Sequence, residues 1–304
     1  LPGLDASAGG EPGAAAVGSG SGAAAGGAPY DAVFHLAAQT LVGPAMADPV
    51  ATFEANVAAG WQVLEACRSA GVPRVILASS DKAYGTAEQL PYREGMPLSP
   101  GSPYEASKAA IDLIAQSYAR AYDLPVAITR FANIYGGGDL NFSRLVPEAI
   151  AAAIQGRRSV IRSDGSPERD FLHIDDAIAA YLALDQALAD RGDSGNRGDG
   201  GGASGSGDRA SGGGAVAGLA FNAGSGRSHS VRKVLDLIAA ASGSELEPDF
   251  RGEGNPAGEI DRQYVDAGRL TALTGWQPQW SLADGLAETH RWYAAHPEIL
   301  PRNT

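Results

Sequence analysis

The stretch Arg74-Val-Ile-Leu-Ala-Ser-Ser-Asp-Lys-Ala-Tyr-Gly85 joins a short apolar run directly to a cluster of reactive side chains. The apolar residues 75–78 predict a strand that is buried on both faces of a parallel sheet. Functional groups in such sheets lie just beyond the carboxyl ends of the strands. The residues that follow the predicted strand are therefore the first candidates for a functional site: Ser79, Ser80, Asp81 and Lys82.

A second stretch, Ser102-Pro-Tyr-Glu-Ala-Ser-Lys108, predicts the start of a helix. Ser102 is a favourable N-cap, proline suits the first helical position, and Glu105 completes a capping box. Tyr104 then lies in the first turn, and Lys108 shares its helix face four residues later. We expect the ammonium to lower the pKa of the Tyr104 phenol, which could then accept a proton from a sugar hydroxyl near neutral pH. Because this spacing also occurs by chance in many helices, the preceding Ser-Ser-Asp-Lys carries most of the functional argument.

The composition limits the classes of protein and partner. The chain has 304 residues, of which 44% are hydrophobic, so a core can form despite 41 glycines. A net charge of −12 argues against nucleic acid or an anionic membrane as the main partner. The single cysteine, Cys67, excludes a disulfide framework within the chain and suits the cytoplasm, where we expect it to be a core residue. No apolar run approaches the roughly 18 residues of a membrane span, and no signal peptide is evident at the start.

Strand and helix patterns alternate between residues 29 and 130. The predicted strands are 31–36, 75–78 and 126–130, and the predicted helices run from Asp48-Pro49 to Gly71 and from Ser102 to about Tyr122. This alternation predicts an α/β fold with a parallel sheet and helices on both faces.

The remainder of the chain predicts a smaller mixed α/β region. Val160-Ile-Arg162 and Arg169-Asp-Phe-Leu-His-Ile174 flank an Asp-Gly pair, which predicts a β-hairpin. Further helices are predicted at about 146–155, 175–188, 230–241, 266–274 and 281–295.

Two segments have low complexity. Residues 1–28 consist mostly of Gly, Ala, Ser and Pro, and we expect them to be disordered. The Gly-Ser-Gly-Ser-Gly-Ala match at 18–23 is rejected as a dinucleotide fingerprint, because no strand precedes it and no amphipathic helix follows it. Residues 190–217 predict a flexible surface insertion.

The motifs of residues 29–295, taken in order, resemble the extended short-chain dehydrogenase/reductase family of NAD-dependent nucleotide-sugar epimerases and dehydratases. The matching pieces are His35-Leu-Ala-Ala38, Asn56, Ser79-Ser80, Tyr84-Gly85, Tyr104-x-x-x-Lys108, Arg130-Phe-Ala-Asn-Ile-Tyr-Gly136, Arg169-Asp-Phe-Leu-His-Ile-Asp-Asp176, Phe221-Asn-Ala-Gly-Ser-Gly226 and Leu273-Thr-Gly-Trp276. The resemblance implies an incomplete Rossmann-like parallel sheet plus a smaller mixed α/β substrate-binding region. It also implies NAD as cofactor and a nucleotide-diphospho-sugar as substrate.

Within this family, Ser80-Asp-Lys82 is similar to the branch of the CDP-glucose 4,6-dehydratases. Segments 137–144 and 258–264 are similar to the same branch, though less decisively. The resemblance assigns Tyr104 as the base for the 4-hydroxyl, Lys108 as its partner and Ser80 as a hydrogen-bonding group. Asp81 would be the acid for the departing 6-hydroxyl, and Lys82 the base at carbon 5. Lys82 can act as a base only if burial or a neighbouring cation lowers its pKa; the alternative is a surface lysine beside a loop.

Two further groups of residues follow from the resemblance. The cofactor-binding group comprises Ala37, Ala38, Gln39, Asn56, Ser79, Tyr104 and Lys108. The substrate-binding group comprises Asn133, Asn141, Arg144, Arg162 and Arg169. Arginine suits bidentate phosphate contact, although Arg169 could equally form an ion pair with Asp170 or Asp175. No residue is predicted to bind a metal.

The resemblance also implies a domain organisation. Residues 29–135 form a partial dinucleotide-binding domain, to which 170–189 and 218–223 return, and 136–169 and 224–304 form the substrate-binding region. A homodimer is implied through the helices at 49–69 and 104–122.

The chain departs from the family at its amino-terminal side. The family opens with a strand, a G-x-x-G-x-x-G turn and a helix, and none of these is found in the sequence. In the family, this turn holds the pyrophosphate of NAD at a helix N-terminus. Without the strand that precedes the turn, the sheet would have an open edge where the family's first strand lies. This departure leaves open a catalytically impaired fragment that does not turn over. A 4-epimerase and a GDP-mannose or dTDP-glucose dehydratase remain open as other enzymes of the same family.

Overall fold

The computed structural model describes residues 28, 30–194, 216–243, 247–252 and 260–302. The strands of these residues are β1 (Val33–His35), β2 (Val75–Ala78), β3 (Val126–Phe131), β4 (Asn133–Tyr135), β5 (Val160–Ile161), β6 (Glu168–His173), β7 (Ala220–Ala223), β8 (Ser228–Ser230), β9 (Asp249–Phe250) and β10 (Arg262–Gln263).

The helices are α1 (Val42–Ala47), α2 (Pro49–Phe53), α3 (Ala59–Ala70), α4 (Pro103–Tyr122), α5 (Leu145–Gln155), α6 (Ile174–Ser194), α7 (Val231–Ser242), α8 (Gly268–Thr274) and α9 (Leu282–Ala295). A π-helical turn at Glu54–Ala58 joins α2 to α3, and 3₁₀ turns lie at Asp81–Tyr84 and Pro297–Ile299. None of the helices in these ranges is long and apolar enough to cross a membrane.

The parallel sheet predicted for the first half of the chain is confirmed. Its strands follow the order β1-β2-β3-β7, and every neighbouring pair is parallel. The carboxyl ends of these strands therefore lie at one edge, where Ser79 and Ser80 follow β2. In the part of the chain that the structure describes, β1 pairs only with β2. Phe34 and Leu36, in and just after β1, are exposed.

Both faces of this sheet are covered by helices, which explains the unbroken apolar run of β2. Val75 and Leu77 face Leu64 and Ile111 of the helices α3 and α4. Ile76 belongs to the core on the opposite face, which α6 and α8 complete. Because alternate residues of the strand enter two different cores, no position is left for a polar side chain. Cys67 is buried in the first of these cores.

The predicted start of α4 is confirmed in detail. Ser102 Oγ accepts a hydrogen bond from Glu105 N (3.4 Å), and Glu105 Oε2 accepts one from Ser102 N (3.1 Å). The helix then runs for 20 residues from Pro103 to Tyr122. The reciprocal cap satisfies amide groups that the first turn leaves unpaired, and this fixes the helical turn that carries Tyr104.

The predicted β-hairpin between 160–162 and 169–174 is wrong. β5 pairs in parallel with β9, whereas β6 pairs with β4, β8 and β10. The chain bends at this pair, with Gly165 at φ +86°, and Asp164 Oδ1 accepts hydrogen bonds from the backbone amide (2.8 Å) and hydroxyl (2.6 Å) of Ser166. Pro167 follows this bend. Because proline has no amide hydrogen, it cannot donate a hydrogen bond to the partner strand of a hairpin. Its carbonyl instead accepts a hydrogen bond from Val231 N (3.0 Å).

The low-complexity predictions fall mostly outside the described residues. These include the disorder expected for 1–28, the rejected glycine match at 18–23 and most of the insertion expected at 190–217. The helix that was predicted to end near Leu188 continues to Ser194.

Candidate active site

The reactive residues after β2 form a compact turn. Ser80 is the N-cap of the 3₁₀ turn Asp81–Tyr84, and its Oγ accepts a hydrogen bond from Lys82 N (3.2 Å). The same hydroxyl donates to Asp81 Oδ1 (3.2 Å). Ser79 Oγ donates to the carbonyl oxygen of Lys108 (3.2 Å), which joins the end of the strand to helix α4. The structure therefore brings the two stretches that were singled out in the sequence into contact.

Tyr104 and Lys108 are both buried on the inner face of α4. Burial raises the pKa of Tyr104 to about 12, although a hydrogen bond with Ser80 and the charge of Arg144 act in the opposite direction. Burial also lowers the pKa of Lys108 to about 8. Lys108 Nζ donates to the carbonyl oxygen of Ala78 (3.1 Å).

The expectation that the Tyr104 pKa is lowered is therefore wrong for the protein alone. Desolvation of the phenol is the largest cause of its shift and exceeds the effects that favour the phenolate. The ammonium of Lys108 is hydrogen-bonded to a backbone carbonyl and is itself destabilised by burial. Sequence spacing placed the two residues on one helix face but carried no information about their desolvation.

Asp81 is a buried carboxyl group with one unsatisfied oxygen. Its side chain is 2% exposed, and Oδ2 has no hydrogen-bond partner among the described residues. Burial raises the pKa of Asp81 to about 6, which the charge of Lys82 opposes and that of Asp170 assists. A carboxyl group that is protonated this close to neutral pH is suited to donate a proton.

Lys82 reaches a residue that the sequence analysis did not select. Its Nζ donates to Gln263 Oε1 in β10 (3.1 Å). Gln263 is fully buried, and its Nε2 has no partner among the described residues. It lies in the segment 258–264, which is similar to the CDP-glucose 4,6-dehydratase branch, but no residue of this segment was predicted to have a role. Its separation from Lys82 along the chain left no local signal for the contact.

Asn56 joins the carboxyl end of β1 to α4. Its Oδ1 accepts from Gln39 N (2.7 Å), while its Nδ2 donates to Gln39 O and Ser107 Oγ, both at 2.9 Å. It lies in the π-helical turn Glu54–Ala58, a type of irregularity that is frequent at functional sites. The small residues Ala37 and Ala38 precede Gln39 and leave the backbone accessible on this side.

Arg144 bridges two loops at the margin of the site. Its guanidinium donates to Asp139 Oδ2 and to Thr40 Oγ1, both at 2.9 Å. Its charge lowers the pKa of Tyr104, so it lies within electrostatic reach of that phenol. Asn141, in the same loop, accepts hydrogen bonds from the backbone and hydroxyl of Ser143 (3.1 and 2.6 Å).

The remaining predicted substrate residues differ in how close they lie to the turn. Arg169 acts on the pKa of Asp81, and its guanidinium donates to the carbonyls of Glu168 (3.0 Å) and Asp261 (3.3 Å). Neither predicted ion pair of Arg169 is found in the described part of the chain. Asn133 Nδ2 donates to Asp170 O (3.1 Å). Arg162 is exposed beyond β5, and no described contact joins it to the other site residues.

The donor set fits the nicotinamide ribose end of a dinucleotide. A phenol and an amine, Tyr104 and Lys108, provide donors for ribose hydroxyls, and Ala37 and Ala38 let a flat ring approach the backbone at the end of β1. Asp81 Oδ2 and Gln263 Nε2 are buried polar atoms that have no hydrogen-bond partner within the described ranges, as expected where a ligand completes the hydrogen bonding.

A parallel α/β sheet with a buried tyrosine–lysine pair beyond one of its strands defines a dehydrogenase/reductase type of nucleotide-dependent enzyme. The sequence model of the NAD dependent epimerase/dehydratase family matches residues 23–196, and the chain belongs to that family.

Curated relatives include an epimerase and a dehydratase, the two activities in the name of the family. The chain is 34% identical over 265 residues to UDP-glucose 4-epimerase of Mycolicibacterium smegmatis, which covers 85% of this chain and 74% of the relative. It is 31% identical over 272 residues to dTDP-glucose 4,6-dehydratase of Streptomyces griseus, covering 88% and 72%. These relatives support an NAD-dependent enzyme that modifies nucleotide sugars, and they support an isomerase and a lyase equally.

Solved structures agree with this family. A dTDP-glucose 4,6-dehydratase from Streptomyces venezuelae with NAD bound has a TM-score of 0.73 at 30% identity, covering 88% of this chain and 74% of that one. A UDP-glucose 4-epimerase from Thermotoga maritima, with UDP-glucose, also has a TM-score of 0.73, at 25% identity and with 88% and 78% covered. The NAD prediction is thus confirmed at the level of the family.

The raised pKa of Asp81 predicts a pH-dependent gain in stability when its charge is removed. Its pKa rises from 3.8 to about 6 on folding, so the folded state binds the extra proton and loses stability as pH rises from about 4 to 6. We expect Asp81→Asn to increase the free energy of unfolding at pH 7 by about 2–3 kcal/mol, because each pKa unit corresponds to about 1.4 kcal/mol. At pH 3.5 the gain should be absent. Urea unfolding at both pH values measures the difference.

Asp236→Asn, on the exposed side of α7, is the matched control and should show little change at either pH. A loss of stability in Asp81→Asn that is equal at pH 3.5 and pH 7 would contradict the assignment.

Proposed function

We propose that this chain is a nucleotide-sugar 4,6-dehydratase of the CDP-glucose 4,6-dehydratase type. The observation that carries the proposal is the buried Asp81, directly beside Lys82. Its pKa is raised to about 6, and no described residue forms a hydrogen bond with its Oδ2. An epimerase needs no acid for a leaving hydroxyl, whereas the elimination of water does. The site provides an acid and an amine in the turn that follows β2.

The first step is oxidation at carbon 4 of the sugar. Tyr104 accepts the proton of the 4-hydroxyl while a hydride leaves carbon 4, and Ser80 donates a hydrogen bond to the reacting oxygen. Because burial raises the pKa of Tyr104 to about 12, the phenolate requires neighbouring positive charge, which Arg144 and the bound oxidised nicotinamide would contribute. NAD supplies the hydride acceptor and later the hydride donor.

The second step is the loss of water across carbons 5 and 6. The 4-keto group acidifies the hydrogen on carbon 5, and Lys82 removes it as a proton. The electron pair forms the double bond between carbons 5 and 6 while the carbon 6–oxygen bond breaks, and Asp81 donates the proton with which that oxygen leaves as water. The hydride then adds to carbon 6 and a proton returns to carbon 5. The product is a 4-keto-6-deoxy sugar, and the cofactor returns to its oxidised form.

The remaining polar groups support binding of the diphospho-sugar. Arg144 and Arg169 lie within electrostatic reach of Tyr104 and Asp81, respectively, and guanidinium groups suit phosphate oxygens. Asn133 and Asn141 would contact the sugar at the same margin. Arg162 could reach only the distal part of the nucleotide, since it is exposed beyond β5.

A 4-epimerase is the second candidate, and the 34% identity to the epimerase of M. smegmatis favours it. Epimerisation shares the oxidation by Tyr104 and differs afterwards, because the hydride returns to carbon 4 from the other side. A catalytically impaired chain is the remaining alternative.

The decisive assay supplies NAD together with CDP-, dTDP-, GDP- and UDP-sugars and identifies the product. We expect a 4-keto-6-deoxy sugar, with the CDP-sugar turned over fastest. Asp81→Asn should reduce formation of this product about 100-fold or more, because removal of a general acid typically costs 10²–10⁴-fold. It should still allow oxidation at carbon 4, which is visible as NADH absorbance.

Asp236→Asn is again the control and should keep full activity. An epimer in place of the keto sugar would reject the dehydratase proposal, and a folded chain without any product would favour the impaired alternative.

We further propose a homodimer through the helices at 49–69 and 104–122. Large apolar side chains are exposed along these helices, including Phe53, Trp61 and Leu113, which are 40%, 42% and 53% exposed. Helix α4 packs beside α2 and α3, so these side chains can contribute to one continuous apolar surface. Such a surface favours association with a second copy.

Sedimentation velocity tests this proposal. The chain should sediment as a dimer, and Leu113→Lys should shift it to a monomer because a charge would be buried at the interface. Leu182→Lys is the matched control, since Leu182 is 57% exposed on α6, and it should leave the dimer intact. A monomeric wild-type chain would contradict the proposal.

A further inference from the structure

Gln263 is oriented by its contact with Lys82. A lysine ammonium has only donors, so the amide oxygen of Gln263 must be the atom that faces it. The distance from Lys82 Nζ to Gln263 Oε1 is 3.1 Å. The amide Nε2 consequently points elsewhere, and it carries two hydrogens that a buried site would have to satisfy.

No protein group among the described residues satisfies Nε2. Gln263 is 0% exposed, so solvent at the surface does not take that role. Only three buried side-chain polar atoms in the described ranges lack a partner, and two of them, Asp81 Oδ2 and Gln263 Nε2, belong to residues beside Lys82. A buried amide without a partner costs about 1–3 kcal/mol. Two such atoms at one place point to a ligand that supplies the missing hydrogen bonds.

Gln263 is held there by strand β6 of the second sheet. Its backbone pairs with Arg169 in the parallel ladder of β10 with β6. Val265, two residues after Gln263, donates its amide hydrogen to Asp170 Oδ2 (3.4 Å). Arg169 and Asp170 both act on the pKa of Asp81. The pairing of β10 with β6 therefore places Gln263 beside the turn that carries Asp81 and Lys82.

We propose that Gln263 is a positioning residue for Lys82, and that its Nε2 donates a hydrogen bond to a sugar oxygen next to the carbon from which Lys82 takes a proton. This inference rests on the proposed dehydration. The amide is suited to the role because it is neutral. It forms a hydrogen bond with the amine and adds no negative charge of its own, which would favour the ammonium.

Two substitutions separate these properties. Gln263→Glu keeps the shape and adds a charge, whereas Gln263→Leu removes both hydrogen-bonding groups. With Gln263→Glu we expect kcat for keto-sugar formation to fall about tenfold at pH 7.5, because a carboxylate near an ammonium shifts its titration by about one unit or more. The acidic, ascending limb of the pH–rate profile, which a base such as Lys82 controls, should move upward by the same amount. With Gln263→Leu we expect KM to rise about tenfold through the lost sugar contact.

Gln186→Glu, which adds the same charge on the exposed surface of α6, is the control and should change neither kcat nor its pH profile. An unchanged pH profile in Gln263→Glu, in a variant that folds and turns over, would overturn the positioning role. An unchanged KM in Gln263→Leu would overturn the sugar contact.

A measurement without turnover distinguishes this inference from the proposed function. The chain contains three lysines, Lys82, Lys108 and Lys233, so ¹³C-methylation of lysines gives a spectrum that Lys82→Arg assigns by loss of one signal. The titration midpoint of the Lys82 signal should rise by about one pH unit in Gln263→Glu and stay unchanged in Gln186→Glu. An unshifted midpoint overturns the positioning role whatever the activity. A shifted midpoint in a chain that makes no keto sugar supports the contact and rejects the dehydration alone.

Discussion

A buried ion pair between Arg130 and Asp112 fixes the frame on which the candidate site is built. The two side chains are 3% and 0% exposed and form two hydrogen bonds, at 2.8 and 2.9 Å. Arg130 Nη1 also donates to the phenol oxygen of Tyr84 (3.0 Å), and that hydroxyl donates to Asn222 Oδ1 (2.8 Å). The network therefore joins the ends of β3 and β7, helix α4 and the turn after β2. Removal of one partner from such a pair typically costs about 3–5 kcal/mol, because the other charge is left buried and unpaired.

The burial that this ion pair offsets also shifts the pKa values of the reactive groups around it. Arg130 and Asp112 are paired, so their charges survive burial. For Asp81, Tyr104 and Lys108, burial outweighs the opposing effects of their described neighbours and moves the pKa of each toward its neutral form, to about 6, 12 and 8 respectively. For Asp81 this is the property that an acid requires. For Tyr104 it means that a phenolate would form near neutral pH only with additional positive charge nearby.

Local sequence patterns predicted much of the fold and part of the site. The apolar run at 75–78 and the capping box at Ser102 each depend on neighbouring residues, and the structure confirms both. The predicted hairpin at 160–174 does not form. Pro167 cannot donate a backbone hydrogen bond between the two strands, and the partners of β5 and β6 are distant in the chain. Gln263 was missed for a related reason, since its contact with Lys82 crosses 181 positions. The prediction of a lowered Tyr104 pKa was wrong for a different reason. Desolvation depends on three-dimensional packing, which the spacing of residues along a helix does not show.

Transfer of a labelled hydrogen tests the central claim most directly. A CDP-hexose with deuterium at carbon 4 would be incubated with the protein and NAD in ordinary water, and the position of the label would be determined by NMR and mass spectrometry. Dehydration through Tyr104, Asp81 and Lys82 predicts that deuterium leaves carbon 4 and is recovered at carbon 6 of a 4-keto-6-deoxy sugar, with a solvent hydrogen at carbon 5. Recovery of the label at carbon 4 of an epimer would contradict it.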